Sequence, residues 1–87
     1  MVKTIWKYPL TSRHMHIRTS CHCYPRYAGL DPTGRPCIWI EVLPVPDEQR
    51  IWQTEVRMHY TGEELPEFGT YLNSFEYNKL MCHIYYN

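Results

Sequence analysis

The stretch Pro36-Cys37-Ile38-Trp39-Ile40-Glu41-Val42-Leu43 constrains this chain more than any other. Six of its eight residues are apolar, two isoleucines and a valine are β-branched, and Pro36 and Pro44 bound it. An apolar run that short, closed by proline on both sides, has no room for an ordinary helix and reads as a buried strand. Asp31-Pro32-Thr33-Gly34 supplies a turn before it, and Pro44-Val45-Pro46-Asp47 stops it. The rest of the chain divides into shorter, more amphipathic pieces to be laid beside this strand.

Alternation and punctuation define those pieces. Val2 to Tyr8 alternates, with Thr4, Trp6 and Tyr8 on one side, and ends at Pro9. His14 to Arg18 alternates about Met15 and Ile17, and Thr19 to Cys23 reads as a polar connection. Tyr24 to Leu30 is a third strand, weakened by Pro25 and Gly29 and so an edge or bulged one, pairing with the central strand through the Asp31 turn. Arg50 to Tyr60 is ambiguous. Trp52, Thr54, Val56, Met58 and Tyr60 alternate with polar neighbours, which favours a strand; Pro46 to Gln49 resembles a helix start, which leaves one short helix near 47–58 as the competing reading. After an acidic loop from Thr61 to Gly69 come strands at Thr70 to Tyr77 and Leu80 to Tyr86, joined by a tight turn at Asn78-Lys79. The expectation is one all-β domain over residues 1–87, a small antiparallel sandwich or barrel of about six to seven strands. Its expected core is Ile38, Trp39, Ile40, Val42, Val56, Leu72, Phe75, Leu80, Cys82 and Ile84.

A chain of 87 residues supports one modest core. Nine basic residues cancel nine acidic ones, so there is no overall electrostatic footprint for nucleic acid or anionic lipid. A formal charge near zero, a small core and apolar residues on both faces of Leu80 to Tyr86 favour self-association, most simply a homodimer. No stretch approaches about 18 apolar residues, the length a membrane-spanning helix needs. Lys3, Lys7 and Arg13 break up any signal-peptide core, so a cytoplasmic location and reduced thiols at the four cysteines are expected.

Chemistry-bearing residues are present but loosely arranged. Cys21-His22-Cys23 and His14-Met15-His16 bring soft ligands near each other, and Cys37, Cys82 and His83 could join them. His14 and His16, two apart, share one face of a strand. Paired C-x₂₋₄-C knuckles, the usual mark of structural zinc, are missing, so no structural metal and no cofactor are expected. A phosphate-binding glycine loop and a G-x-S-x-G elbow are missing too, and adjacent Glu63-Glu64 reads as a solvated turn; the chain reads as a non-enzyme. Binding remains. Arginine and aromatic residues concentrate binding energy, and here they interleave. The candidate binding residues are Arg50, Trp52 and Tyr60, with Arg57, Arg35 and Tyr27. Ordinary cross-strand pairing on a solvated sheet would explain the same composition.

Three motifs carry a family likeness: Lys3-Thr4-Ile5-Trp6-Lys7-Tyr8-Pro9-Leu10, then Gly34-Arg35-Pro36-Cys37-Ile38-Trp39, then His59-Tyr60-Thr61-Gly62 with Leu65-Pro66. In these the chain resembles a family of small uncharacterised phage and prophage proteins whose pattern opens K-T-I-W-K-Y-x-L. Ser12 to Leu30 departs from that pattern most. The resemblance implies a phage origin and an all-β fold, and brings no activity with it. In that setting the expected function is inhibition of a host defence protein or complex by binding it, in the manner of a CRISPR inhibitor. The alternatives are a sponge for a nucleotide immune signal, or a phage housekeeping or virion-associated protein.

Overall fold

The structure is a computed structural model and describes residues 3–43, 51–65, 67 and 69–87. It holds seven strands: β1 (Thr4–Pro9), β2 (His14–Thr19), β3 (His22–Leu30), β4 (Pro36–Leu43), β5 (Trp52–Tyr60), β6 (Thr70–Tyr77) and β7 (Leu80–Tyr86). They form two antiparallel sheets, sheet A in the order β1-β4-β3 and sheet B in the order β2-β5-β7-β6. No helix occurs among the described residues, and none is long and apolar enough to cross a membrane. The ambiguous segment is strand β5 from Trp52 onward, as its alternation favoured; Pro44 to Arg50, including the start of the alternative helix, lies outside the described residues.

The punctuation behaves as its chemistry requires. Asp31 closes the β3–β4 turn: its N–H donates to the Arg35 carbonyl and its own carbonyl accepts from Gly34 N–H, both at 2.9 Å. Its carboxylate accepts from the N–H groups of Thr33 and Arg35 and from the Thr33 hydroxyl, an Asx-type arrangement that makes aspartate the suited residue there. Asn78 and Lys79 both sit at positive φ, 55° and 64°, the pairing that a two-residue hairpin turn between right-twisted strands demands. β3 is bulged between Pro25 and Tyr27, so the proline reaches the sheet without breaking its ladder. β3 also begins earlier than expected. Thr19 belongs to β2, and the polar connection shrinks to Ser20-Cys21, where the Thr19 hydroxyl donates to the Cys21 carbonyl at 2.6 Å.

Ile38, Ile40 and Val42 of β4 face Val56 of β5 and Cys82 and Ile84 of β7 between the sheets, all at most 1 % exposed. Ile17, Met58 and Ala28 complete the layer, with Leu72 and Phe75 packed against it. Burying each large side chain contributes about 1.5–3 kcal/mol, whereas an exposed ion pair contributes about 1 kcal/mol or less. The interior therefore holds the sandwich, and the charged faces are left for other work. Two expected core residues are not there. Leu80, beside the Asn78-Lys79 turn, is 50 % exposed. Trp39 lies half-buried on the outer face of sheet A, because it shares its side of β4 with Glu41 rather than with Ile38 and Ile40.

One pair of sheet edges is joined. A register shift between Tyr71 and Asn73 turns the Asn73 amide toward β3, where it accepts from Ala28 N–H at 2.8 Å and donates to Ala28 C=O at 2.6 Å. A side chain thus stands in for a strand at the β3 edge. The other edges, β1 and β2, carry Lys7, His14 and Arg18, with Lys3 and Arg13 immediately before them, the kind of charge that keeps an edge from pairing with another chain.

Candidate functional site

Each sheet has an outer face, and the two differ in chemistry. On sheet A the register places Ile5 and Lys7 of β1, Trp39 and Glu41 of β4, and Tyr24 and Tyr27 of β3 on one side. Ile5, Tyr24 and Tyr27 are about half exposed, at 54, 47 and 53 %. Tyr27 lies against Trp39 with ring centroids 5.6 Å apart, and its ring covers Gly29, where any side chain would collide with it. Tyr24 meets His22, and His22 meets Trp52 at 3.6 Å, so Trp52 extends the row of rings round the end of the sheet. Arg26, the extra residue of the bulge, sits 5.8 Å over the Tyr24 ring and donates to Glu41 at 2.6 Å. Lys3 also reaches Glu41, and Lys7 donates to Asp31. The Arg26 guanidinium holds Glu41 below the usual carboxylate range. The result is a flat aromatic centre within a rim on which cations outnumber carboxylates.

Sheet B turns out a polar face that gathers four of the five histidines. His14 and His16 stand on β2, His59 on β5 and His83 on β7. His14 Nε2 is 2.5 Å from Glu55 Oε1, and Arg57 donates to the same oxygen from Nε and Nη2 at 3.2 and 3.0 Å. Burial pushes Glu55 up, but these hydrogen bonds outweigh it and hold the group below its ordinary pKa. Arg13 pairs with Glu63 and lies over the Tyr60 ring at 4.7 Å. Arg13, His14, Arg57 and His59 surround a shallow cleft of about 330 Å³. Beyond it, His83 is clamped between two hydroxyls, Ser74 at Nδ1 (2.6 Å) and Thr61 at Nε2 (2.7 Å), and Tyr71 bonds to Ser74 in turn. Ser74 and His83 have the spacing of a nucleophile and a base. A hydroxyl behind the imidazole lacks the charge by which a carboxylate stabilises imidazolium, so this geometry orients His83 without activating it.

The cysteines are free thiols. Burial raises the Cys37 and Cys82 pKa values, so both remain protonated small hydrophobes. Cys23 donates to the Cys21 carbonyl at 3.1 Å and touches the Thr19 hydroxyl.

The structure divides the predicted binding residues. Tyr27 falls on the sheet A surface, Trp52 of sheet B is half-buried and reaches that surface through His22, and Arg35 flanks it in the β3–β4 turn. Arg57 belongs to sheet B, bound to Glu55, and Tyr60 packs against the core beneath Arg13. Arg50 lies outside the described residues. Trp39, Ile5 and Lys7 were missed as surface residues. Glu41 was the signal, since a carboxylate two residues from Trp39 marks that side of β4 as the outer one.

A family model described as Domain of unknown function (DUF7352) matches residues 1–87, the whole length of the chain. The chain belongs to this family. No curated protein and no solved structure matches it. For a DUF7352 domain, the function must therefore be argued from its two faces.

Proposed function

We propose that this DUF7352 domain is a non-enzymatic binding protein that occupies a protein surface with the outer face of sheet A. The observation that carries the reading is the row of half-buried Trp52 and His22 and exposed Tyr24 with Arg26, beside exposed Tyr27 on half-buried Trp39, held on the sheet. Aromatic and arginine side chains are the anchors of protein interfaces, and anchors built on strands lose little entropy on binding. Lys3, Lys7 and Arg26 at the rim already pair with Glu41 and Asp31, so a partner would meet a rim of ion pairs with cations in slight excess around the aromatic centre. The resemblance to phage and prophage proteins supports a partner in the host's defence machinery, and with it action in the host cytoplasm.

A sponge for a nucleotide signal is the second reading, favoured by the cationic cleft on sheet B. Arg13 and Arg57 there already face Glu63 and Glu55, so an incoming phosphate would have to displace carboxylates.

The test is plaquing of sensitive phage on strains that each carry one defence system, with the wild-type chain, Tyr27→Ala or Arg57→Ala expressed. The reading expects relief of at least one system, lost with Tyr27→Ala and kept with Arg57→Ala. An interface anchor of this kind typically costs ~2 kcal/mol or more on truncation, roughly thirty-fold in affinity. Relief lost with Arg57→Ala alone, together with a nucleotide released from heated protein, would transfer the function to sheet B. No relief by the wild-type chain would refute counter-defence. A concentration-dependent dimer abolished by Tyr27→Ala would instead make this face a self-association surface.

A further inference from the structure

We infer that the outer face of sheet B carries a binding site for a zinc-class divalent cation, formed by His14, His16 and Glu55. His14 and His16 lie two apart on β2 and project to the same side, with ring centroids 5.1 Å apart. Glu55 on β5 is directly opposite His16 in the ladder, and Arg57 is opposite His14. One donor atom from each of the three residues lies within 4.8 Å of the other two. Around a tetrahedral zinc with bonds of ~2.0–2.1 Å, neighbouring donors stand roughly 3.3 Å apart. The remaining gap is within reach of side-chain rotation alone. Both imidazoles are exposed, His14 already points its Nε2 at Glu55, and the backbone positions are fixed by the β2–β5 pairing.

Two further features fit a cation. Arg57 grips Glu55 Oε1 from two nitrogens, as an outer partner orients a metal-binding carboxylate. A carboxylate has about four acceptor positions, so the arginine leaves room for a metal on the same group. Two imidazoles and one carboxylate are borderline ligands that select zinc, copper or nickel over magnesium or calcium. Three protein ligands leave the fourth position of a tetrahedral ion open to water or to a donor from a partner. The site stands on the surface, away from the interior that holds the fold, so it is separate from the structural zinc that paired cysteine knuckles would have announced. It is independent of the sheet A binding surface.

Calorimetric titration of zinc chloride into the purified full chain tests the site, with His16→Ala, Glu55→Gln, His59→Ala and the double variant Cys21→Ser/Cys23→Ser alongside. Circular dichroism and thermal melts establish that each variant is folded before titration. The expected result is one zinc per chain. His16→Ala should weaken it by at least ten-fold, on the order of what loss of a metal-supporting group costs, and Glu55→Gln should weaken it too. His59→Ala and the cysteine pair should bind like wild type. On two-dimensional NMR spectra, the imidazole signals of His14 and His16 should shift with added zinc while that of His83 stays. The inference is overturned if wild type takes up no zinc, or if all folded variants bind it equally. Loss of binding in the cysteine variant alone would also overturn it and move the metal to the β2–β3 connection.

Discussion

Replacing Asn73 by alanine removes the amide that joins β6 to β3. In the native protein that amide makes two hydrogen bonds to Ala28, a residue with no exposed surface. The Ala28 N–H and C=O point away from β4, so no ladder partner takes over when the side chain goes. Two lost bonds are worth about 1 kcal/mol each, and a buried polar group left unsatisfied costs about 1–3 kcal/mol. Water can enter the seam once the amide is gone, which puts the expected loss at about 2–4 kcal/mol. That is a large share of the stability of a small domain, commonly ~5–15 kcal/mol. Urea unfolding followed by tryptophan fluorescence measures it, with Glu76→Gln on the exposed side of the same strand as control. Amide hydrogen exchange gives a second, local readout, since Ala28 N–H should lose protection before its neighbours in β4. A loss below about 0.5 kcal/mol, with Ala28 protection unchanged, would refute the view that a side chain seals this edge.

Two other substitutions probe the turns. Gly69 sits at φ 54°, and an added Cβ would collide with the Tyr86 carbonyl; Gly34 at φ 83° has open space around it. Gly69→Ala should cost about 2 kcal/mol or more and Gly34→Ala about 1 kcal/mol, read from thermal melts; equal costs would show that backbone strain alone decides. Asp31 is held well below the ordinary carboxylate range, first by the Thr33 hydroxyl and then by the Arg35 N–H. Because its folded pKa is depressed, its contribution is full above the unfolded value of about 4 and declines as pH falls further. Asp31→Asn should therefore lower stability at pH 7 and flatten the acid limb of the stability curve below pH ~4; an unchanged limb would assign that slope to other carboxylates.

Much of the fold was legible because the chain is heavily punctuated. Prolines and the Asp31 turn bound β4, Asn78-Lys79 has the composition of a tight hairpin turn, and strict alternation in β5 outweighed a helix-like start. Trp39 and Leu80 were misplaced for one reason. Hydrophobicity alone placed them inside, whereas the strand's period places Trp39 beside Glu41 and the hairpin turn lifts Leu80 into solvent. The faces were less legible than the strands. Sheet B's surface is assembled from β2, β5, β6 and β7, and nothing local to His14, Glu55 or His83 says that these strands become neighbours. Pairing depends on register and on crossovers between sheets, which are long-range properties of the whole chain.

The interleaving of the two sheets bears on how the chain comes to be folded and how it can be cut. Among the described strands, only β3 with β4 and β6 with β7 pair as neighbours in sequence, each about a short turn. These two hairpins close the shortest loops and are the natural first events. β1 must wait for β4, since Thr4 pairs with Val42, and β2 must wait for β5, since His14 pairs with Arg57. During synthesis the opening strands therefore emerge well before anything exists to receive them. Sheet A draws on residues from Thr4 to Leu43 and sheet B on residues from His14 to Tyr86, so the spans overlap along the chain. A cut after Leu43 leaves all of sheet A with an orphaned β2 in one piece, and in the other a β5 that keeps β7 but is bare on its β2 edge. Each piece would keep a three-stranded sheet but leave uncovered the apolar face that the other sheet covers, so neither is expected to fold alone.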